Sequence, residues 1–455
     1  MARYFGTDGV RATINTGPMT AENIVRLALA AGRYFMSQQQ SSARQRPLVV
    51  IGKDTRLSGY MVEAALQAGF ASIGMDTRLL GPLPTPAVAH LTRTLRADLG
   101  VMISASHNPH FDNGIKLFGP DGFKLPDHVE DAIAAIMGEH IPLAAPQELG
   151  RARRMLDGLG RYVEQVKTAI PRQLRLGGLK VVVDCANGAA YRAAPDVLFE
   201  LGAEVIPMAV EPDGFNINQN CGAVHPLTMA EAVVAHQADV GLSLDGDADR
   251  LIMADEKGRL INGDQCLAVI ANLMVARGQL KGNKVVGTLM TNHGLGLYLA
   301  KREITLMRTQ VGDRYILDVL RQQKLNLGGE PSGHILMTDY ATSGDGLMTG
   351  LVMLSALVES GKPASESLQC FTDTPQVLVN IKADDQDQMT RAIGDPLVVS
   401  AMAEAEAELG DDGRVVVRPS GTEPLLRIMV EATQAKIMQK WADTLKDVLE
   451  KALRS

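Results

Sequence analysis

Apolar and polar positions along the 455-residue chain follow one recurring order. An uninterrupted run of β-branched and aliphatic residues gives way to a polar or glycine-bearing loop. Apolar positions at helical spacing then follow. RPLVVIGKDTRLSGYMVEAALQAGFASIG is the first clear case, LKVVVDCANGAAYRAAPDVLFELGAEVIPM repeats it, and NKVVGTLMTNHGLGLYLAKREITLMR repeats it again. Continuous apolar strands followed by amphipathic helices point to parallel sheets covered on both faces. Three such units predict three related α/β domains, irregularly spaced.

The same pattern places the boundaries. RARRMLDGLGRYVEQVKTAI predicts a helix leading into the second unit near residue 155, and LIMADEKGRLINGDQ predicts a hairpin that starts the third near residue 255. After SGKPASESLQCFTDTPQ the order changes to VLVNIKADD, a long acidic helix and GRVVVRPSGTEPLLRIMVEA, which reads as a distinct α+β domain. The expected division is 1–155, 156–255, 256–370 and 371–455.

Composition narrows the class without changing the fold. Hydrophobic residues at 46% and charged residues at 21% are those of an ordinary soluble globular protein. A net charge of −7 argues against non-specific nucleic-acid binding, while a local arginine cluster still suits a small anionic substrate. Cys185, Cys221, Cys266 and Cys370 are far apart and form no C-x-x-C pair, so reduced thiols are expected rather than a disulfide frame or a zinc site. MARYFGTDGVRA lacks the apolar core of a signal peptide, and no apolar run approaches the ~20 residues of a membrane span. A cytoplasmic protein with no membrane partner is the expectation.

Chemistry belongs in the loops beyond the carboxyl ends of the strands. GLSLDGDADRL sets Asp245, Asp247 and Asp249 at alternate positions after a strand, and three carboxylates this close repel unless a cation neutralises them. Oxygen-only ligands suit a hard divalent ion, Mg²⁺ in particular. An EF-hand competes, with Glu256 at the twelfth position, but Arg250 stands where that loop needs glycine and a strand precedes it. A solvated acidic turn is the plainer alternative. VVVRPSGTEPLLRI carries Arg418, Ser420, Gly421, Thr422 and Arg427, a set suited to an oxyanion, although a simple hairpin turn would look similar. GGEPSGHI holds Glu330, Ser332 and His334, which suit sugar hydroxyls or an amino group, and equally a polar edge strand.

ISASHNPHFDNG presents Ser104 and Ser106, followed by His107. A hydrolase triad is disfavoured because adjacent side chains on an extended chain face opposite ways and no G-x-S-x-G elbow is present. A phosphoryl-transfer enzyme needs positioning and charge neutralisation rather than a triad, which fits an acidic loop, an arginine loop and a serine in one chain. A non-catalytic sugar-phosphate-binding protein would leave the serine loop unused. Lys116, in the strand after the serines, suits either a surface position or neutralisation of phosphate charge, and Arg11 follows two glycines near the start.

SASHNP, DGDADR, GEPSGH and RPSGTEP, in this order on repeated α/β units, resemble the α-D-phosphohexomutases. FGTDGVR, GKDTRLSG, TLMTNHGL and VGDRYI are similar to the bacterial members that act on glucosamine phosphate. The resemblance implies a heart-shaped molecule of three mixed-sheet α/β domains and a C-terminal α+β domain around a central cleft. It implies a phosphorylated Ser106 as nucleophile, one Mg²⁺ per chain held by Ser106, Asp245, Asp247 and Asp249, and a glucosamine 1,6-bisphosphate intermediate or primer. Arg418, Ser420, Gly421, Thr422 and Arg427 would hold the non-reacting phosphate, with Arg250 near the phosphoserine. Glu330, Ser332, His334 and Arg314 would bind the sugar, and Lys116, His107 and Arg11 would handle charge and the proton. The product would feed UDP-N-acetylglucosamine and cell-wall precursors. A homodimer is compatible with this pattern. Ala12, His110 and Pro331 depart from the family pattern; Pro331 removes a donor beside the sugar and keeps the branch acting on mannose and glucose phosphates as the alternative.

Overall fold

Leu48–Lys53, Leu99–Ile103 and Val240–Leu244 are buried at every position, as uninterrupted apolar runs require when helices cover both faces of a sheet. The structure is a computed structural model that describes residues 4–6, 8–38, 46–419 and 425–454. The chain falls into two compact units, 1–288 with 309–370 and 289–308 with 371–455.

The first unit contains three mixed sheets. The six-stranded one runs, edge to edge, Val10–Thr13, Asp112–Phe118, Leu99–Ile103, Leu48–Lys53, Asp76–Pro82 and Ala152–Arg154. Asp112–Phe118 is antiparallel to both neighbours and the rest pair in parallel. Helices Ala21–Gln38 and Gly59–Ser72 pack together, and their inward residues join one core with Val49, Ile51, Val101 and Ile103. The five-stranded sheet runs Leu260–Ile261, Leu251–Asp255, Val240–Leu244, Lys180–Asp184 and Glu204–Met208. In the third sheet, Lys284–Thr288 pairs in parallel with Leu327–Gly329, which forms a hairpin with Ile335–Met337. Two of the loops singled out above are thus hairpin connections: 245–250 joins antiparallel neighbours of the second sheet, and 330–334 joins those of the third.

In the second unit Leu425–Ala432 lies between Gln376–Lys382 and Gly413–Pro419, antiparallel to both. Ile428, Val430, Trp441, Leu445 and Leu449 are buried together where helix Ala435–Ala452 covers the sheet. This is the α+β arrangement expected of the C-terminal segment.

Three local expectations change. RARR does not open a helix: Ala152–Arg154 adds an edge strand to the first sheet, and the helix begins only at Gly158. Arginine favours helix, but pairing with an available sheet edge outweighs the propensity of so short a run. The hairpin 251–261 closes the second sheet rather than starting the third, because the turn at Gly258 (φ 75°) returns the chain to its own neighbour. The long acidic helix is two helices, Gln386–Ile393 and Pro396–Leu409. Pro396 stands in the first turn of the second, and Asp395 accepts from Leu397 N. Among the described residues no helix is long and apolar enough to cross a membrane.

Candidate active site

Ser106 lies just past the carboxyl end of Leu99–Ile103, with a left-handed backbone (φ 51°) that an L-residue adopts at some cost. Side chains from elsewhere hold it there. Ser106 N donates to Ser104 Oγ at 2.9 Å, and the Ser104 hydroxyl donates to Asp54 Oδ2 at 2.6 Å. The buried Arg56 guanidinium donates from Nε to Asp54 Oδ2, from Nη1 to the carbonyls of Pro109 and Asp112, and from Nη2 to those of Ser106 and Asn108. Asn218, on the loop between Glu204–Met208 and helix Leu227–Ala235, donates to the Ser106 and Asn108 carbonyls as well. The left-handed residue also removes the alternation of an extended chain. His107 therefore does not face away from the serine: its Nδ1 lies 3.2 Å from Ser106 Oγ.

Beneath the serine is the acidic hairpin. Ser106 Oγ donates to Asp245 Oδ2 at 2.6 Å across 139 residues of sequence. Gly246 is required by this approach, since a Cβ there would meet the Ser106 carbonyl oxygen at 2.5 Å. Asp247 Oδ2 accepts from Thr85 Oγ1 at 2.6 Å and from Lys116 Nζ at 2.8 Å, and Lys116 also reaches Asp249 Oδ2 at 3.3 Å and Asp8 Oδ2 at 3.1 Å. Lys116 is fully buried, so it is no surface residue. Ligand atoms of the three hairpin carboxylates lie within 4.8 Å of one another, and Asp247 Oδ1 and Asp249 Oδ1 are buried without a hydrogen-bond partner. Unsatisfied buried carboxylate oxygens are costly, and here they converge with Asp245 and the serine hydroxyl. An oxygen-only donor set of this kind fits a hard divalent cation.

The electrostatics separate the acids. Burial, then the charges of Asp249 and Asp247, push the Asp245 carboxyl well above the usual carboxylate range. Burial raises Asp249 too, but Lys116, His334 and Arg250 outweigh it and hold that carboxyl well below the range. Burial followed by Arg250 and Arg11 lowers the His107 imidazole to about 4, which leaves it neutral at physiological pH. Burial lowers His334, but Asp249 and Asp313 more than reverse this, with Nδ1 3.6 Å from Asp249 Oδ1 and Nε2 3.5 Å from Asp313 Oδ2.

Of the remaining candidates, Arg11, Arg250 and the 330–334 turn lie against these groups. Arg11 pairs with Asp8 at 2.9 Å and donates to Asn108 Oδ1 at 3.2 Å. Arg250 places Nε 3.9 Å from Asp249 Oδ1. Glu330 Oε1 accepts from Gly312 N, Glu330 Oε2 accepts from Ser332 Oγ at 3.4 Å, and the Pro331 carbonyl accepts from Gly263 N. The turn is therefore a braced hairpin rather than a loose edge strand. Arg314 is not brought to the carboxylates: its guanidinium pairs with Asp127 and lies 3.6 Å from Glu130. Glu256 is likewise elsewhere, accepting from Ser365 N, so the twelfth-position ligand of an EF-hand is missing. In the second unit, Arg418 and Arg427 face each other across the strands and line a cavity of about 240 Å³ with Met290 and Asn380. Burial and the neighbouring Arg427 charge lower the Arg418 pKa, a mark of two cations sharing a site suited to an anion. Ser420, Gly421 and Thr422 lie outside the described residues.

Sequence reasoning passed over Asp54, Arg56, Asn218, Thr85, Asp8 and Lys124. Lys124 bridges Asp8 at 2.5 Å and Asp313 at 2.6 Å. The D-x-R spacing after a strand in GKDTRLSG was the only local sign of the Asp54–Arg56 pair. His110, unexplained by sequence, stacks edge-on with Phe111 and Phe215 at ring distances of 5.6 Å each, tying the serine loop to the 213–216 turn.

Comparison with known proteins covers nearly the whole chain. Residues 2–141, 160–258 and 262–374 match the models of α/β/α domains I, II and III of phosphoglucomutase/phosphomannomutase, and residues 378–448 match its C-terminal domain. The chain is 55% identical to a phosphoglucosamine mutase of Paramagnetospirillum magneticum over 452 residues, covering 99% of both chains. It is 57% identical to that of Dinoroseobacter shibae over 433 residues, covering 95% of both. Among solved structures, a phosphoglucomutase/phosphomannomutase family protein of Burkholderia thailandensis superposes with a TM-score of 0.81 at 23% identity, over 99% of this chain and 97% of that one. An N-acetylphosphoglucosamine mutase of Aspergillus fumigatus, solved with GlcNAc-6P and magnesium, gives a TM-score of 0.66 at 18% identity, over 98% and 95%.

Proposed function

The chain belongs to the phosphoglucomutase/phosphomannomutase family, and from that premise we propose that it interconverts glucosamine 6-phosphate and glucosamine 1-phosphate. The observation that carries the chemistry is the Ser106 hydroxyl, buried and strained, 2.6 Å from a carboxylate of a three-aspartate hairpin. In the active enzyme Ser106 carries a phosphoryl group. The P–Oγ bond breaks as the 1-hydroxyl of glucosamine 6-phosphate bonds to phosphorus and loses its proton, giving a bound 1,6-bisphosphate. That intermediate turns over, and its 6-phosphate returns to Ser106 oxygen as glucosamine 1-phosphate leaves.

Asp245, Asp247 and Asp249, with an oxygen of Ser106, would hold one Mg²⁺. Bound there, the ion neutralises charge on the transferring group. Lys116 is held as an ammonium by Asp247, Asp8 and Asp249 and adds fixed positive charge, while Arg11 and His107 complete the polar surroundings of the reacting hydroxyl. Arg250 faces the phosphoserine. Glu330, Ser332 and His334 bind the sugar, and Arg314 would join them only on leaving its pairing with Asp127. Arg418, Ser420, Gly421, Thr422 and Arg427 hold the non-reacting phosphate. The domain division, with boundaries at 155 and 370 and the middle one moved past Ile261, where the hairpin of the second sheet ends, belongs to the same proposal, as do a cytoplasmic location and a homodimer.

The deciding experiment compares product formation from glucosamine 6-phosphate, glucose 6-phosphate and mannose 6-phosphate, with Ser106→Ala in parallel. Preference for the amino sugar and loss of turnover in the variant are expected. A strong preference for mannose 6-phosphate overturns the substrate. Full activity of Ser106→Ala overturns the mechanism.

A further inference from the structure

Outside the acidic hairpin, the free edge of the first sheet borders a cleft of about 860 Å³ in which five arginines converge: Arg46, Arg78, Arg151, Arg153 and Arg154. The concentration is notable in a chain of net charge −7. Arg46 is already used, donating to the carbonyls of Leu149 and Gln147. The other four are not neutralised. Among the described residues none of them is held in an ion pair; of the two acids that line the cleft, Asp76 accepts from the backbone N–H of Arg151 and Asp157 pairs with Arg161. Arg78 and Arg153 are direct partners in register on adjacent parallel strands. Like charges placed opposite one another weaken a sheet, so this juxtaposition costs stability unless an anion lies between them. Leu48, Leu95 and Leu156 line the same cleft, and Leu156 leaves 88% of its surface in water.

We propose that this cleft binds a nucleoside diphosphate. The two phosphates lie on the Arg78–Arg153 pair, where planar guanidinium forks match phosphate oxygens, and Arg151 and Arg154 flank them. The base covers Leu156. Four unpaired guanidinium groups exceed what a single monophosphate neutralises, and the volume falls within the range of small-molecule sites. A basic cleft on a chain of net charge −7 does not suit a nucleic-acid strand.

The test is calorimetric titration of the full chain with ADP and with inorganic pyrophosphate, in the presence of saturating glucose 1,6-bisphosphate to occupy the catalytic site. Submillimolar binding of ADP that weakens with salt is expected. Two variants are compared, R78S/R153S and the wholly exposed pair R153S/R154S, both with unchanged mutase turnover as a check on folding. Each should weaken ADP at least about tenfold. No heat at millimolar ADP, or unchanged affinity in both variants, overturns the site. Pyrophosphate binding as tightly as ADP overturns the contribution of the base.

Discussion

Replacing Arg56 with methionine keeps much of the side chain's length and removes every donor that organises the serine loop. All five N–H groups of Arg56 are used, one on Asp54 and four on the carbonyls of Ser106, Asn108, Pro109 and Asp112. Three of the four carbonyls retain other donors: Asn218 still donates to those of Ser106 and Asn108, and Asp112 N to that of Pro109. Asp54 keeps the Ser104 hydroxyl and the backbone N–H of residue 56 but loses its cationic partner, and the 2.8 Å ion pair with Arg56 is fully buried on both sides. Leaving one member of such a pair alone costs about 3–5 kcal/mol. Burial already pushes the Asp54 carboxyl up, and loss of Arg56 pushes it further, so the variant sheds part of the deficit by taking a proton. The deficit should therefore be largest near pH 8 and shrink towards pH 5. Turnover should fall by on the order of 10²-fold, the typical result of letting a reacting group drift by about an ångström. Arg56→Lys, which keeps the charge but not the fork, should fall between the two. The assays are the first urea-unfolding transition at several pH values and mutase kinetics with bisphosphate primer. A variant within about 1 kcal/mol of the parent at pH 8, with unchanged kcat, would refute the assignment of Arg56 as the positioning residue of Ser106.

Asp345 caps helix Gly346–Ser360 and accepts from Tyr162 OH at 2.9 Å, and burial raises its carboxyl from 3.8 to about 7. The folded state thus holds a proton that the unfolded state releases. The resulting stability is present below pH 3.8 and is lost as pH rises through about 7, so Asp345→Asn should flatten the thermal-melting profile between pH 5 and 8. Gly246→Ala would drive a methyl group into the Ser106 carbonyl, and a kcat loss of about tenfold or more is expected by steady-state kinetics, with wild-type kcat counting against the close approach. Asp245→Asn should remove the stimulation of turnover by added Mg²⁺, measured by titration after chelation; an unchanged metal response would place the ion elsewhere. Burial pushes the Cys221 and Cys266 thiols up to about 12, and Cys185 is fully enclosed, so a thiol reagent on native protein should modify Cys370 alone. Rapid labelling of more than one cysteine would contradict these environments.

Much of this molecule is legible in the one-dimensional pattern. Uninterrupted apolar runs specify strands covered on both sides because nothing else hides such a surface, and the acidic D-x-D-x-D triplet declares a cation site because its own charges repel. Those signals are local, and local chemistry survives in sequence. What the chain order alone left open was the facing of neighbouring groups. His107 seemed turned away from Ser106 only while an extended backbone was assumed; a left-handed φ, held by Arg56 and Asn218 from two other segments, brings its ring to 3.2 Å. RARR read as helix until a sheet edge offered it hydrogen bonds, and Arg78 and Arg153 became neighbours only through that pairing. Asp54, Asp8 and Lys124 look like any polar loop residues in sequence. Burial beside partners more than 40 residues away gives each its role, because desolvation and long-range charge act through space rather than along the chain.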